Sequence, residues 1–477
     1  MLIDGVRFDD VAQENRGRRA IVSFLEFIER RLGVTVLYDK RRVPFGRADL
    51  AEPLSVATKL IDRGVVSWYG PTEGLPDEPG VRHWICRVRD SAENFAGGSS
   101  VDNDTSALFA ALAEGLERYI WWTQRDYFVR PRRGTIDEMR ARFPIIAPHQ
   151  FVSFSEAQRL QSSQFRLPPE ASYLWIEGTS LVSGKKIYVP AQTVSAAWGP
   201  FKVSPQEPLI RMQHTTGLAT WPTRIGARLA GALECIERES YMIMWFNQLS
   251  LPRIHPSSLR TRSKTLDAII SRCERYGLRV HIITMLTDAP THAVCAILED
   301  PSPVGPRFAF GLKAHRSLAD ASEKAILEAL RARRFTRKAD PDEFYDPSKP
   351  VDDIGHRGRV HYWQDPEHAR HLEFLVSGEE KDPVRAAWED DTPQMQLERI
   401  ENWCREKGYE CVSVPLTSSK ANPTPWHIEM ILMPDLHPTH LAERMRHLGG
   451  ERLQLVPRLF GYEPLEQPFV ERPHPFC

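Results

Sequence analysis

A mixed α/β fold, with β-hairpins as well as crossovers, is the class this sequence predicts. Three observations carry it. Long segments such as SALFAALAEGLERYIWW from Ser106 and RIGARLAGALECIERESYMIMW repeat apolar residues at helical spacing; short β-branched runs such as HWICRVRD, VHIITML and HAVCAILED lie between them; and turn residues mark the joins. A length of 477 residues allows a large core and two to four folding units.

The elements follow in order. NRGRRAIVSFLEFIERRLG, from about Asn15 to Leu32, reads as an amphipathic helix closed by Gly33, and VTVLYD after it as a short strand. A further helix spans roughly Asp49 to Arg63, and GPTEGLPDEPG is turn-rich and solvated. A soft boundary near residue 55 divides an N-terminal extension, 1–54, from the main domain, 55–477. HWICRVRD is a strand and the segment from Ser106 a helix. YLWIEGTSLVSGKKIYVPAQTV forms two strands turning around Ser183 and Gly184. RIGARLAGALECIERESYMIMW, TLDAIISRCERYGL and LADASEKAILEALRARRFTRK are helices, VHIITML and HAVCAILED are paired strands, and VSVPLT, IEMILMP and a short helix complete the domain. The tail EQPFVERPHPFC places proline where neither helix nor central strand continues, so it is extended and polyproline-like.

Lys and Arg number 62 against 63 Asp and Glu, a net charge of -1, which gives no support to a nucleic-acid partner; any anion site is local. The N-terminus MLIDGVRFDD is acidic where a secretory signal is basic, and no stretch is long enough to span a bilayer, so the expectation is a soluble, cytoplasmic protein without a membrane partner. Seven dispersed cysteines with no C-x-x-C pair argue against a disulfide framework and a cysteine zinc site.

Two helices share a chemical peculiarity. LAEGLERY carries Glu114, Glu117 and Arg118, and LECIERE repeats the spacing with Glu234, Glu237 and Arg238. Carboxylates at i and i+3 lie on one face and repel unless a cation separates them. Each helix also runs into an apolar stretch, Ile120–Trp122 and Tyr241–Trp245, where ionised groups are costly. Oxygen ligands of this kind suit a hard divalent ion such as magnesium with nucleotide phosphates. Helix propensity on a solvated face yields the same spacing, as LEFIERR at Leu25–Arg31 illustrates with Glu26 and Glu29.

From about residue 55 onward the chain resembles the YcaO family. GGSSVDNDTSALFAALAEGLERY is similar to a Gly/Ser-rich turn and helix of the form S-x-x-x-E-x-x-E-R; WIEGTSLVSGKKIYVPA resembles a W-x-x-G-x-S-L hairpin ending in V-P-A. TTGLATWPTRIGARLAGALECIERES tracks the S-N-G-L-A segment and its E-x-x-E-R helix. FGLKAHRSLADASEKAILEALRARR is similar to the G-x-G-A-H turn with its R-A-L-x-E-A-x-Q-x-R helix, and RPHPFC to a P-x-P-x-P tail. Departures fall at Ala110 for the opening serine, Pro222 for an asparagine, Thr223 for a serine, Gly226 and Ala230 for a glutamate and a glutamine, Arg331 for a glutamine, and Cys477 for the last proline.

The resemblance implies mixed sheets and carboxylate-bearing helices around a central nucleotide site. It implies ATP and Mg2+ as cofactors and ATP-dependent activation of backbone amides, most directly cyclodehydration of Cys, Ser or Thr to azolines (thiazole or oxazole precursors) in a ribosomally made precursor peptide of the bacteriocin kind. Glu114, Glu117, Glu234 and Glu237 would hold one or two Mg2+ ions, and Arg238 with one or more of Arg331, Arg333 and Arg337 would contact phosphate. Pro473, Pro475 and Cys477 of the tail would reach the active site, whereas His315 would cap the following helix. Thioamide or amidine formation, by an external nucleophile, uses the same ATP chemistry. The losses at Ala110, Gly226 and Ala230 also fit a catalytically silent scaffold. A separate leader-peptide-binding partner related to ubiquitin-activating enzymes is expected, because this chain lacks the cysteine pairs of such a unit. Residues 1–54 are a candidate docking segment for it, and a homodimer stays open.

Overall fold

Helices and strands alternate from residue 47 onward in the computed structural model, which describes residues 2–3, 6–7 and 47–476 except 73, 90–94, 124–130, 204, 303–305, 339–345, 417–421, 467–469 and 471. The helix expected over Asn15–Leu32 and the strand after it lie outside the described residues, as does Cys477. Leu2–Ile3 pairs antiparallel with Val6–Arg7. The described residues divide into two compact units.

One unit draws on Met1–Glu73, Val81–Tyr127 and Thr417–Trp426. Helix α1, Arg47–Asp62, runs across the position of the expected boundary at residue 55, and helix α2 spans Asp104–Thr123. Between them lies an antiparallel sheet ordered Val66–Pro71, Arg82–Val88, Phe95–Ser100. The core forms because Leu108, Leu112, Leu116 and Ile120 recur every fourth position of α2 and are fully buried, while Ala111 and Gly115 lie against Cys86 of the alternating, buried Trp84, Cys86 and Val88. Phe95–Ser100, expected as a turn, is a strand. Its Gly98 permits the helix to close on the sheet: a Cβ there would lie 2.1 Å from Ala107 O and 2.6 Å from Ala111 N.

The second unit draws on Gly74–Gly80, Phe128–Leu416 and His427–Cys477. A six-stranded sheet runs in the order Arg132–Thr135, Ser172–Ser180, Val412–Pro415, His427–Leu432, Leu218–Trp221, with Lys186–Pro190 paired to Ser172–Ser180 through the expected turn at Gly184. A five-stranded sheet runs Phe308–His315, His292–Glu299, Arg279–Thr284, Arg253–Ile254, Glu380–Lys381. Phe308–His315, expected as a turn, is a full strand of that sheet.

Helix α3, Arg224–Phe246, joins two cores. Its first half, with Leu229, Ala232, Leu233 and Ile236, packs among Ile431, Ala314 and Ile400; its end, Tyr241–Phe246, is wholly buried among Ile283, Cys295 and Phe310. Glu234 to Glu239 occupy the waist. Helix α4, Lys264–Arg275, helix α5, Leu318–Lys338, and helix α6, Pro393–Lys407, complete the principal helices. The segment 74–80 is not wholly solvated: Glu78 is buried and pairs with Arg333 at 2.9 Å. Six cysteines are free and buried, and no helix among the described residues is long and apolar enough to cross a membrane.

Candidate functional site

On α2, Glu114 accepts the Gly97 N–H at 2.7 Å and a guanidinium N–H of Arg118 at 2.7 Å, while Arg118 also donates to the Phe95 carbonyl at 3.2 Å. The pair is i, i+4 and half-buried. Glu117, one turn on, is half-buried, and Ala110 is exposed.

The same geometry recurs on α3. Glu234 accepts the Gly217 N–H at 2.9 Å and an N–H of Arg238 at 3.2 Å. Gly217 adopts φ +91 and lies where a Cβ would be 2.1 Å from Ile431 O, so only glycine brings that N–H to the carboxylate. It recurs a third time on α5, where Glu328 accepts the Leu312 N–H at 2.7 Å and pairs with Arg331 at 3.3 Å. In each case an N–H in a strand, or in the turn just before one, meets a helical carboxylate 16 or 17 residues later. A charge-assisted hydrogen bond of this kind fixes the carboxylate's direction while leaving oxygen lone pairs free.

Glu237 is 1% exposed. It accepts the Ala314 N–H at 2.8 Å, and lies 3.6 Å from Arg238 and 3.5 Å from the ammonium of Lys313. Burial pushes the Glu234 carboxyl up, opposed by Arg238 and reinforced by Glu237. Glu237 holds Lys313 protonated against its own burial, with Glu328 and Glu234 adding to the effect. Glu239, on another face of α3, is a structural acid: it forms a two-point pair with Arg452, 2.8 Å at each contact, and accepts the His437 N–H at 3.1 Å. Thus the charged half of α3 tolerates its apolar neighbours because every carboxylate there meets a cation and a backbone donor.

The four candidate arginines differ in their partners. Arg238 bridges Glu234 and Glu237, and Arg331 pairs with Glu328. Arg333 is buried against Glu78 and Asp300 at 2.9 and 2.7 Å, and half-buried Arg337 pairs with Asp77 and Glu78 at 2.6 and 2.5 Å.

The tail enters the same unit. Pro473, His474, Pro475 and Phe476 are buried. The Phe476 ring covers the Arg238 guanidinium at 4.4 Å and lies 5.6 Å from the Tyr241 ring. Trp363 donates to the Pro473 carbonyl at 3.1 Å. His315, expected to cap the following helix, instead accepts the Ser317 N–H at 3.1 Å just before α5, and it is Ser317 Oγ that accepts the Asp320 N–H of the first turn at 3.2 Å; burial with Lys324 nearby pushes the His315 pKa down to about 4.

Three residues of this surface escape sequence reasoning. Lys313 stands where the G-x-G-A-H turn has its second glycine, a signal visible in the chain. Trp221 packs on Gly226, where a Cβ would lie 1.9 Å from Trp221 Cδ1, so its indole takes the space of the side chain expected there. Arg359, buried beside the tail, carries no local sequence signal.

The donor set fits Mg2+ and nucleotide phosphate: Glu234 and Glu237 offer hard oxygens, held by single N–H donors, beside a guanidinium. Residues 100–437 match the family model described as YcaO cyclodehydratase, ATP- and Mg2+-binding. No curated protein sequence matches the chain. Among solved structures, a heterocyclase in complex with substrate and cofactor aligns with TM-score 0.71 and 18% identity over 90% of this chain; the chain spans 57% of that protein's length. A YcaO from Methanopyrus kandleri bound with AMPPCP and Mg2+ aligns with TM-score 0.59 and 17% identity, covering 84% of this chain and 95% of the other. The E. coli microcin synthetase McbBCD complex with pro-MccB17 bound aligns with TM-score 0.58 and 14% identity, covering 86% and 96%.

Proposed function

The chain belongs to the YcaO family, its cofactors are ATP and Mg2+, and we propose that it activates backbone amides of a ribosomally made precursor peptide, closing Cys, Ser or Thr residues into azolines. The observation that carries this reading is the Glu234–Arg238–Glu237 cluster at the waist of α3, with Glu237 buried and the other two half-buried, oriented by two backbone N–H groups.

In the proposed reaction the peptide's own side-chain thiol or hydroxyl adds to the preceding carbonyl carbon, and the resulting oxyanion is phosphorylated at the expense of ATP. Phosphate then leaves with the former amide oxygen, and loss of the nitrogen-bound proton leaves the C=N bond of the ring. Catalysis of this type is mostly positioning and charge neutralisation. Glu114, Glu117, Glu234 and Glu237 are the proposed holders of Mg2+, which when bound neutralises charge on the phosphate oxygens. Arg238 is the phosphate contact favoured by its place between the proposed Mg2+ holders Glu234 and Glu237, with Arg331, beside Glu328, as the second; Arg333 and Arg337 are each held by two acids among Asp77, Glu78 and Asp300 that are not proposed Mg2+ holders. Tail residues Pro473 and Pro475 carry Phe476 onto Arg238, and Cys477 follows them in the chain.

A separate leader-binding partner remains part of the proposal; the resemblance to the McbBCD complex supports it. A scaffold without catalysis is the second reading, favoured by Trp221 in the space beside Gly226. The test is mass spectrometry of a candidate precursor peptide incubated with the chain, its partner, ATP and Mg2+. A loss of about 18 Da per site supports ring closure, and a gain of about 16 Da supports thioamide formation. An unchanged peptide with no phosphate release supports the scaffold.

A further inference from the structure

Lys313 is fixed in its strand beside the carboxylates of α3. Its neighbour Ala314 donates its N–H to Glu237 Oε2 at 2.8 Å, and the Lys313 ammonium lies 3.5 Å from that same oxygen. Two residues earlier, Gly311 faces α5 so closely that a Cβ would be 2.0 Å from Ala325 O, which locks the strand's position on the helix. Lys313 pairs across the sheet with Val294; its strand is the edge of that sheet, and the neighbouring N–H groups of Leu312 and Ala314 are taken by Glu328 and Glu237.

Charge around Glu234 and Glu237 is therefore already balanced. Two carboxylates meet two permanent cations, Arg238 and Lys313. Along α3 the positions 226, 230, 234 and 237 share a face, yet the first two carry glycine and alanine in place of oxygen donors. Glycine and alanine offer no side-chain oxygen there, and Lys313 of the neighbouring strand places a cation against Glu237. Both features lower the demand for metal at the same pair of acids.

We infer that the Lys313 ammonium takes the place of one divalent ion at the α3 carboxylates, so that this chain binds a single Mg2+ with its nucleotide. A second ion brought to Glu234 and Glu237 would face Lys313 and Arg238 at close range, and would find no carboxylate at 226 to complete its shell. The inference rests on the nucleotide-binding reading above but concerns the number of ions, not the reaction.

The test counts bound Mn2+ by electron paramagnetic resonance, with AMPPCP and without it, in the wild-type chain, Lys313→Met and Lys313→Gln. Lys313 is one-third exposed in its side chain, and circular dichroism checks that both variants fold. The wild type is expected to take up one ion with nucleotide, and each variant a second, or to bind its ion about tenfold more tightly. Two ions in the wild type overturn the inference, as does an unchanged count and affinity in both variants. Loss of nucleotide affinity in the variants also overturns it, by making Lys313 a phosphate ligand. If the wild type binds one ion and nucleotide yet modifies no peptide, the functional reading fails and the inference stands. If the wild type binds no nucleotide, the inference falls together with the nucleotide-binding reading on which it rests.

Discussion

Arg359 Nη2 lies 2.8 Å from Glu443 Oε1, and each side chain is 1% exposed. The other end of the guanidinium, Nη1, donates to the His440 carbonyl at 3.2 Å and the Phe476 carbonyl at 3.4 Å, and reaches the His474 ring at 2.5 Å. His440, Glu443 and His474 have the composition of a metal site, yet a guanidinium already supplies the cation among them. Arg359→Met is expected to destabilise the chain by about 3 kcal/mol, because buried Glu443 loses its guanidinium and keeps the His440 ring at 2.9 Å and Arg446 at 4.0 Å. Hydrogen exchange of residues 472–476 is expected to rise with it. Arg359→Lys retains the charge but not the fork that spans three acceptors, so partial recovery is expected. Unchanged exchange in Arg359→Met would show that the tail docks by its apolar contacts alone.

Stability should fall steeply in mild acid. Burial pushes His437 down to about 4 and holds His214, His440, His447 and His474 well below the usual 6.5. Between those values the unfolded chain takes up protons that the folded chain refuses. The unfolded state then binds more protons, so stability decreases as pH drops through that window, by up to about 1.4 kcal/mol per pH unit for each histidine. Urea midpoints measured from pH 7 to pH 5 check this. A flat profile would mean that some of these rings are charged in the folded protein.

The principal helices from α2 to α5 were readable because apolar periodicity persisted over whole elements and agreed with the turn residues at their ends. Phe95–Ser100 and Phe308–His315 were not, because FAGGSS and FGLKAH contain glycines that ordinarily signal turns. Here the glycines serve a close helix approach, which is a tertiary demand. Glu78 sits in a turn-rich stretch whose sequence signals solvent; its partner Arg333 lies 255 residues away. The i, i+3 acids announce themselves through spacing; the backbone donors at Gly217, in the turn before a strand, and Ala314, with the ammonium of Lys313, in another strand, depend on tertiary packing that no local pattern encodes.

The close approach at these glycines is itself testable. A Cβ at Gly98 would meet Ala107 O at 2.1 Å, and one at Gly311 would meet Ala325 O at 2.0 Å; both obstacles are helix backbone that cannot rotate aside. Gly98→Ala and Gly311→Ala are each expected to destabilise by about 3 kcal/mol. Gly80→Ala, with nothing within 4 Å of its added carbon, is the control. Thermal denaturation of the three variants decides it, and equal melting temperatures would show that helix and sheet can separate without cost.

Trp221 decides whether a carboxylate can be restored at position 226. Its indole lies over Gly226 and is 46% exposed, so it is held by that contact more than by burial. Gly226→Glu alone forces the ring away, since even a Cβ would come within 1.9 Å of Cδ1, and is expected to cost about 1–3 kcal/mol with a shift in tryptophan fluorescence. Trp221→Ala removes the obstruction. In the double variant, Trp221→Ala with Gly226→Glu, most of that stability should return, and a further oxygen donor joins the face that carries Glu234. Mn2+ affinity should then increase about tenfold over the wild type. If Gly226→Glu is as stable as wild type and leaves the fluorescence unchanged, the space beside α3 is open without moving Trp221, and its indole does not exclude a carboxylate there.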